Sequence, residues 1–359
     1  MRFDLADLEP VHVGPTNCFV IDTGAGVALI DTGINAERFW ADLTAGLTAK
    51  GYRLSDVRWV LLTHAHLDHS GLAARLRQET QCQVLINREE THFLRQGGMH
   101  GRINRELYIR LFLEHGMPRD LLDWYLHWSA LGWARNWRTE PRLFEAAPEH
   151  RLRTELFAEL HPPEGHDPAD QWAGAPMEPD AEFADGDELA LGDLRLRVIH
   201  TPGHTPGHTS FYHQDSGVLF SGDHVLQRTT PNPGLFFIND DYDRRNHSVP
   251  DFLRSLEKLR TLVCRRVFGA HEAAMDNLTH AIDRLIAHHE ERAGAALQAV
   301  RAGRNTSYGV LPVMFPNLRR NGLFAAMGET IGHMDLLEER GQALPEPRDG
   351  LLVYRPAAA

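Results

Sequence analysis

The chain has 359 residues, 42% of them hydrophobic and 24% charged, and a formal net charge of -12. That length permits a sizeable core, and the composition is that of a globular protein rather than a disordered or fibrous one. The acidic balance argues against an extended nucleic-acid face, which needs a basic surface, and no run approaches the roughly 20 apolar residues that span a bilayer.

The opening "MRFDLADLEPVHVGP" carries acids where a secretory leader needs an apolar stretch, so a cytoplasmic location is expected. The three cysteines, Cys18, Cys82 and Cys264, form no Cys-x-x-Cys pair and are expected as small buried hydrophobes in a reducing compartment. "TNCFVIDTGAGVALIDTG" predicts two short strands joined by a Gly-Ala-Gly turn. "NAERFWADLTAGLTAKG" has helical spacing and a terminal glycine. "VRWVLL" is a continuous apolar run, the mark of a strand buried on both faces.

Directly behind that run, "THAHLDHSG" places His64, His66, Asp68 and His69 in one six-residue window. Ser70 is the expected cap of a helix through "GLAARLRQET", and "CQVLIN" is the next buried strand. Strand, loop, helix, strand is an α/β rhythm. The histidines follow a strand's carboxyl end, where open α/β sheets hold their ligands.

From about residue 91 the character becomes helical, in "INRELYIRLFLEHG" and "RDLLDWYLHWSALGWARNW". Prolines and glycines crowd residues 161 to 180 before strands resume in "LRLRVIH", "TSFYH" and "GVLFSGD", so the region between reads as a helical insertion. Trp124, Trp128, Trp133 and Trp137 recur at spacings that fit one helical face. Core filling suits them better than a wall of the substrate site, and a subunit contact is the third reading. Arginines 102, 105, 110, 119, 135 and 138 fit a solvated helix face better than an anion site. Near residue 277 an amphipathic helix begins, with Ile282, Leu285, Ile286, His289, Ala293, Leu297 and Val300 near one face. "GETIGHMDLLEERG" and "GLLVYRP" then predict a closing helix, helix, hairpin order. His280, His288 and His289 are read as ordinary surface or core residues.

Neutral imidazoles and carboxylates suit zinc, iron or manganese. Four donors in one short loop are many for one ion that keeps an open position, so two ions are expected, each with ligands from elsewhere. Candidates are His204 and His208 in "VIHTPGHTPGHTS", Asp223 in "FSGDH" and His271 in "RRVFGAHE".

Taken together, "THAHLDH", "TPGHTPGHTS", "SGDH" and "GAHE" resemble the metal motifs of the metallo-β-lactamase-fold hydrolases, over about residues 12 to 275. The likeness is greatest to glyoxalase II-like hydrolases and to bacterial relatives with a small winged-helix tail. "GDHVLQRTTPNPGL" and "AMGETIGHMDLLEERG" are similar to the latter. The resemblance implies an αββα sandwich over residues 1–276, a helical insertion over about 91–180, and a winged-helix-like domain over 277–359. It implies that His64, His66 and His204 hold one divalent ion and Asp68, His69 and His271 a second, with Asp223 bridging. His208 would orient a ligand from behind or close the loop, with plain packing as the equal alternative. The ions would be zinc, with iron or manganese as alternatives.

The reaction implied is attack by a bridging hydroxide on the carbonyl of a small-molecule thioester, ester or lactone, with Asp68 as catalytic proton carrier. Two rivals share the fold: a beta-lactamase-like endoribonuclease and a mononuclear-iron persulfide dioxygenase. Residues 290 to 359 hold eight arginines, no lysine and eight acids, which disfavours the nuclease. All the expected ligands of two ions are present, which disfavours the dioxygenase. Asp223 stands where some zinc β-lactamases have cysteine, and His66 where flavodiiron relatives have glutamate. "GAHE" replaces the commoner Pro-Gly-His-Gly around the last ligand. The expected partner is a small acyl substrate, without nucleic acid or membrane, and a homodimer stays open.

Overall fold

The computed structural model describes residues 5–98, 105–122, 174–238, 244–319 and 322–357. Trp124, Trp128, Trp133 and Trp137 lie outside the described residues, as do Arg102, Arg135 and Arg138. The chain divides into two compact units, the first within the bounds Met1–Ile103, Trp172–Pro231 and Phe236–Ile286, and the second within Asn104–Gln171, Asn232–Leu235 and Ala287–Ala359. The boundary near the carboxyl end thus falls within the helix Leu278–Arg301, and the segment expected as an insertion is divided: residues 105–122 belong to the second unit, and residues 91–98 and 174–180 to the first.

The first unit is built on two sheets. One runs in chain order through β1 (Val11–Val13), β2 (Thr16–Asp22), β3 (Val27–Ile30), β4 (Val57–Leu61), β5 (Gln83–Asn87) and β6 (Ala181–Phe183). Its first three strands are antiparallel, and β3 to β6 are parallel. The other, in the order β11-β10-β9-β8-β7, comprises β7 (Glu188–Leu191), β8 (Leu194–His200), β9 (Thr209–His213), β10 (Val218–Gly222) and β11 (Arg266–Gly269).

Strand alternation explains the layering, because successive side chains point to opposite faces. In β2, Phe19 and Ile21 join the core between the sheets, where Phe211, Phe220 and Phe268 come from the opposite side. The rings of Phe19 and Phe220 lie 5.1 Å apart, within the range of favourable aromatic pairs. Cys18 and Val20 face outward onto Leu43, Leu47, Leu72 and Leu76 from the helices Glu37–Ala49 and Ala73–Thr80 and the turn between. On the far side, Ile199, Tyr212, Leu219 and Val267 meet Phe252, Leu256 and Leu259 of the helix Ser248–Arg260, together with Ile282 and Leu285. The unit is therefore helix, sheet, sheet, helix, with apolar strands that had to be buried on both faces.

One local expectation is corrected. The helix through "GLAARLRQET" starts at Ala73, and Ser70 ends a separate one-turn helix, Leu67–Ser70. The Ser70 hydroxyl lies 3.2 Å from the Ala65 carbonyl and 3.1 Å from that of His66, so it closes the histidine-bearing turn instead of capping the helix behind. A side chain at Gly71 would stand 2.5 Å from the Leu67 carbonyl and 2.6 Å from Asn35 N, so the chain there packs backbone to backbone.

In the second unit, the helices Ser307–Met314 and Leu323–Glu339 precede an antiparallel hairpin of β12 (Ala343–Arg348) and β13 (Leu351–Pro356). Asp349 and Gly350 both have positive φ, 50° and 79°, as a type I′ turn requires. Among the described residues no helix is long and apolar enough to cross a membrane.

Candidate metal centre

Four loops of the first unit, each following a strand, converge. The one after β4 carries His64, His66, Asp68 and His69, and those after β8, β10 and β11 carry His204, Asp223 and His271. His64, His66 and His204 each offer one ligand atom with all three within 4.8 Å, and Asp68, His69 and His271 do the same. His66 Nδ1 lies 2.8 Å from His64 Nε2 and 3.0 Å from His204 Nε2. Asp223 Oδ2 stands between the two sets, 3.4 Å from His204 Nε2, 3.6 Å from His69 Nε2 and 3.3 Å from His271 Nε2. Asp68 Oδ2 is 3.5 Å from both His69 Nε2 and His271 Nε2.

The far side of three of the rings, those of His69, His271 and His64, fixes the tautomer. His69 Nδ1 faces Asp31 Oδ2 at 2.9 Å and His271 Nδ1 faces the Pro15 carbonyl at 2.8 Å. Those oxygens only accept, so each Nδ1 carries the proton and, in the neutral ring, Nε2 offers a lone pair inward. His64 Nδ1 is 3.0 Å from the Thr63 hydroxyl, which donates to Asp31 Oδ2 at 2.8 Å and so accepts from the ring. An outer oxygen that orients the inner nitrogen is the usual support of a metal-binding histidine. Asp31 serves two rings at once.

The set fits a divalent cation on its own terms. Three imidazole nitrogens crowd one point, where one proton cannot satisfy two neighbours. The buried atoms His69 Nε2 and Asp223 Oδ1 have no hydrogen bond among the described residues. Such groups are costly without a partner. Without metal, burial holds His64 well below its usual pKa and brings His66 down to about 3. For His69 burial also disfavours charge, yet the carboxylates of Asp68, Asp223 and Asp31 outweigh it and raise the group well above normal. Burial opposes ionisation of Asp223 too, and the facing His69 and His271 nevertheless hold it well below the usual carboxylate range.

His208 touches none of the inward donor atoms. Its Nε2 accepts from the Asp223 backbone N–H at 3.0 Å, so its Nδ1 is protonated and donates to Thr201 Oγ1 at 2.8 Å. The ring thereby sets the height of the Asp223 loop. Gly222 has φ +53°, and a Cβ there would lie 2.5 Å from His208 Nε2, so this contact depends on glycine.

Three supports escaped the sequence reading. Asp31 sits in "LIDTG", where only an acid at a strand's carboxyl end gave any hint. Asn17, within β2, donates its side-chain amide to the carbonyls of Gly269 and Glu272 at 3.0 and 2.8 Å, fixing the His271 loop. Glu90 is fully buried and accepts from Ala65 N at 2.9 Å and Gly207 N at 2.7 Å, which ties the first histidine loop to the loop of His204. Burial pushes its carboxyl up to about 7. Sequence spacing held no signal for Glu90, because its partners are 25 and 117 residues away.

Comparison with known proteins agrees with this geometry. The family model for the metallo-beta-lactamase superfamily matches residues 11–271. A metallo-beta-lactamase family protein of Thermus thermophilus is similar in structure, with a TM-score of 0.70, 27% identity and 97% of each chain covered. The probable metallo-hydrolase YqjP of Bacillus subtilis is 24% identical over 345 residues, 96% of this chain and 94% of that protein. The atrochrysone carboxyl ACP thioesterase of Aspergillus fumigatus is 24% identical over 287 residues, 80% of this chain and 60% of that protein. With the motif loops gathered at one end of two packed sheets and the family match spanning them, the chain belongs to the metallo-beta-lactamase superfamily.

Proposed function

We propose that the chain is a dinuclear metal hydrolase acting on the carbonyl of a small-molecule thioester, ester or lactone. The observation that carries this reading is the Asp223 carboxylate, standing between two three-donor sets. His64, His66 and His204 would hold one ion, Asp68, His69 and His271 the other, and Asp223 both. Divalent ions there, zinc foremost, supply a water acidified towards a pKa of about 7 and a Lewis acid for the carbonyl oxygen. Asp31, His208 and Glu90 keep the donors in place.

The Asp68 side chain is 30% exposed against 10% for Asp223, so it is the carboxylate able to exchange a proton with substrate or solvent. The Phe236 ring lies 6.1 Å from the His66 ring and 5.9 Å from Phe93, so the first ligand set rests against the apolar core. Within the carbonyl class a thioester is favoured, since one relative is named a carrier-protein thioesterase. The helix, helix, hairpin order of residues 307 to 356 is read as winged-helix-like, and the eight arginines against eight acids of residues 290 to 359 suit a structural or subunit-pairing role better than nucleic acid.

The test is a panel of thioesters, aryl esters, lactones and single-stranded RNA, run with metal-loaded and chelator-stripped protein at low and moderate salt. Metal-dependent carbonyl turnover with little response to salt is expected. RNA cleavage that weakens steeply with salt, with no carbonyl substrate above background, would overturn the reading.

A further inference from the structure

Away from the seven converging donors, the second unit contains another group of metal-ligating side chains. Glu329 and His333 are four apart on the helix Leu323–Glu339, hence on the same face, and His289 faces them from the helix Leu278–Arg301. Each offers one ligand atom with all three within 4.8 Å, and His289 and His333 are 0% exposed and Glu329 is 7% exposed. We propose that His289, Glu329 and His333 form a separate divalent-cation site, fitted to zinc, that joins two helices of the second unit.

The spacing suits zinc. His289 Nδ1 and His333 Nε2 are 3.3 Å apart. Two nitrogens bound at about 2.0–2.1 Å to a tetrahedral ion would be separated by about 3.3 Å, whereas a hydrogen bond between them would be long. His333 Nδ1 donates to the Glu329 carbonyl at 2.8 Å, which leaves Nε2 in the neutral ring with its lone pair toward His289. That is the outer-oxygen support already seen behind His69 and His271. Glu329 Oε1 is buried with no hydrogen bond among the described residues. Arg292 Nε approaches it to 3.4 Å, but the same Nε donates to His288 Nε2 at 2.8 Å and the guanidinium lies 4.0 Å from the centre of the Phe315 ring. The arginine therefore meets the carboxylate as an ion pair at 3.4 Å but gives Oε1 no hydrogen bond.

A closed site of this kind is structural: binding free energy adds to the stability of the unit that holds the ion. The test uses full-length protein, stripped with chelator, dialysed against zinc chloride and desalted. Zinc per chain is measured for wild type, Glu329→Gln, His333→Gln and His289→Gln, and Tm is compared with and without zinc. Each folded variant is expected to hold about one zinc fewer than wild type and to lose part of the zinc-induced rise in Tm. The difference is counted whatever the first unit binds, so the outcome is independent of the hydrolase reading. A folded variant at any of the three positions that keeps the wild-type zinc count and Tm response overturns the site, leaving the Arg292–Glu329 pair as the cluster's neutral arrangement. Should one variant fail to fold, the others decide.

Discussion

Replacing Glu90 with glutamine tests the claim that the two histidine loops are held by one buried carboxylate. The shapes are nearly the same, but glutamine has a single acceptor. Glu90 uses one oxygen for Ala65 N and the other for Gly207 N. In Glu90→Gln one of those N–H groups meets the amide NH2, donor against donor. The variant loses a hydrogen bond and leaves a buried N–H unmet, which costs about 1–3 kcal/mol. Both loops carry metal donors, so metal affinity should fall by about 10- to 100-fold, equivalent to about 1.4–2.8 kcal/mol. Urea unfolding at pH 8 of stripped and metal-loaded protein separates these two effects, and the wild-type advantage should be larger in the loaded pair. A competing chelator gives the affinity directly. Unfolding curves within about 0.5 kcal/mol of each other, with equal metal affinity, would refute the reasoning, because surface substitutions fall within that range.

Gly222→Ala should lower both Tm and metal content, since a Cβ at φ +53° would press on His208 Nε2 at 2.5 Å; an unchanged melting curve would remove the steric claim. Asp68→Asn should reduce turnover more than His208→Ala, which acts on Asp223 only through its backbone and is worth about 10- to 100-fold; equal rates at full metal occupancy would reverse the two roles. Metal uptake near pH 6.5 should release at least one proton per chain, because His69 has a raised pKa without metal and must be neutral to bind; a weakly buffered titration with no acidification would exclude it. In stripped protein the raised His69 adds stability that is fully present below its unfolded value of about 6.5 and is lost as pH rises through the higher folded value. The lowered Asp223 adds stability that is present above about 3.8 and is lost as pH falls through its depressed value. Their joint contribution should therefore be largest between about pH 4 and 6.5, as the difference between wild type and a His69→Gln, Asp223→Asn double variant measured by urea unfolding across that range.

The donors themselves are legible because each falls in a short window after an apolar run, and such runs become buried strands in parallel or sandwiched sheets. The hairpin at Gly-Ala-Gly and the strands "VRWVLL" and "CQVLIN" are legible for the same reason. What lies behind the donors is not. Asn17 acts through carbonyls more than 250 residues away, and Glu90 through two backbone N–H groups, so no local pattern distinguishes them from any other polar residue. Ser70 misleads because a serine before a helix is a common cap, whereas here a tight backbone approach at Gly71 separates the two helices. His289 reads as an ordinary core residue since its partners, Glu329 and His333, lie on another helix.

The contacts of Asn17 and Pro15 with residues 269 to 272 also constrain the order in which the molecule folds. They close a loop of roughly the whole first unit, and contacts of such span slow folding, because the closure entropy must be met before the contact rewards it. A chain emerging from the ribosome has His64, His66 and His204 available well before His271, and the carbonyl that orients His271 belongs to its earliest strands. The all-histidine set is therefore complete in sequence while the set containing Asp68 still lacks a member. If the seven donors hold two ions as proposed, metal arriving during synthesis would meet an unequal pair of half-sites, the second whole only when the two ends of the first unit have met.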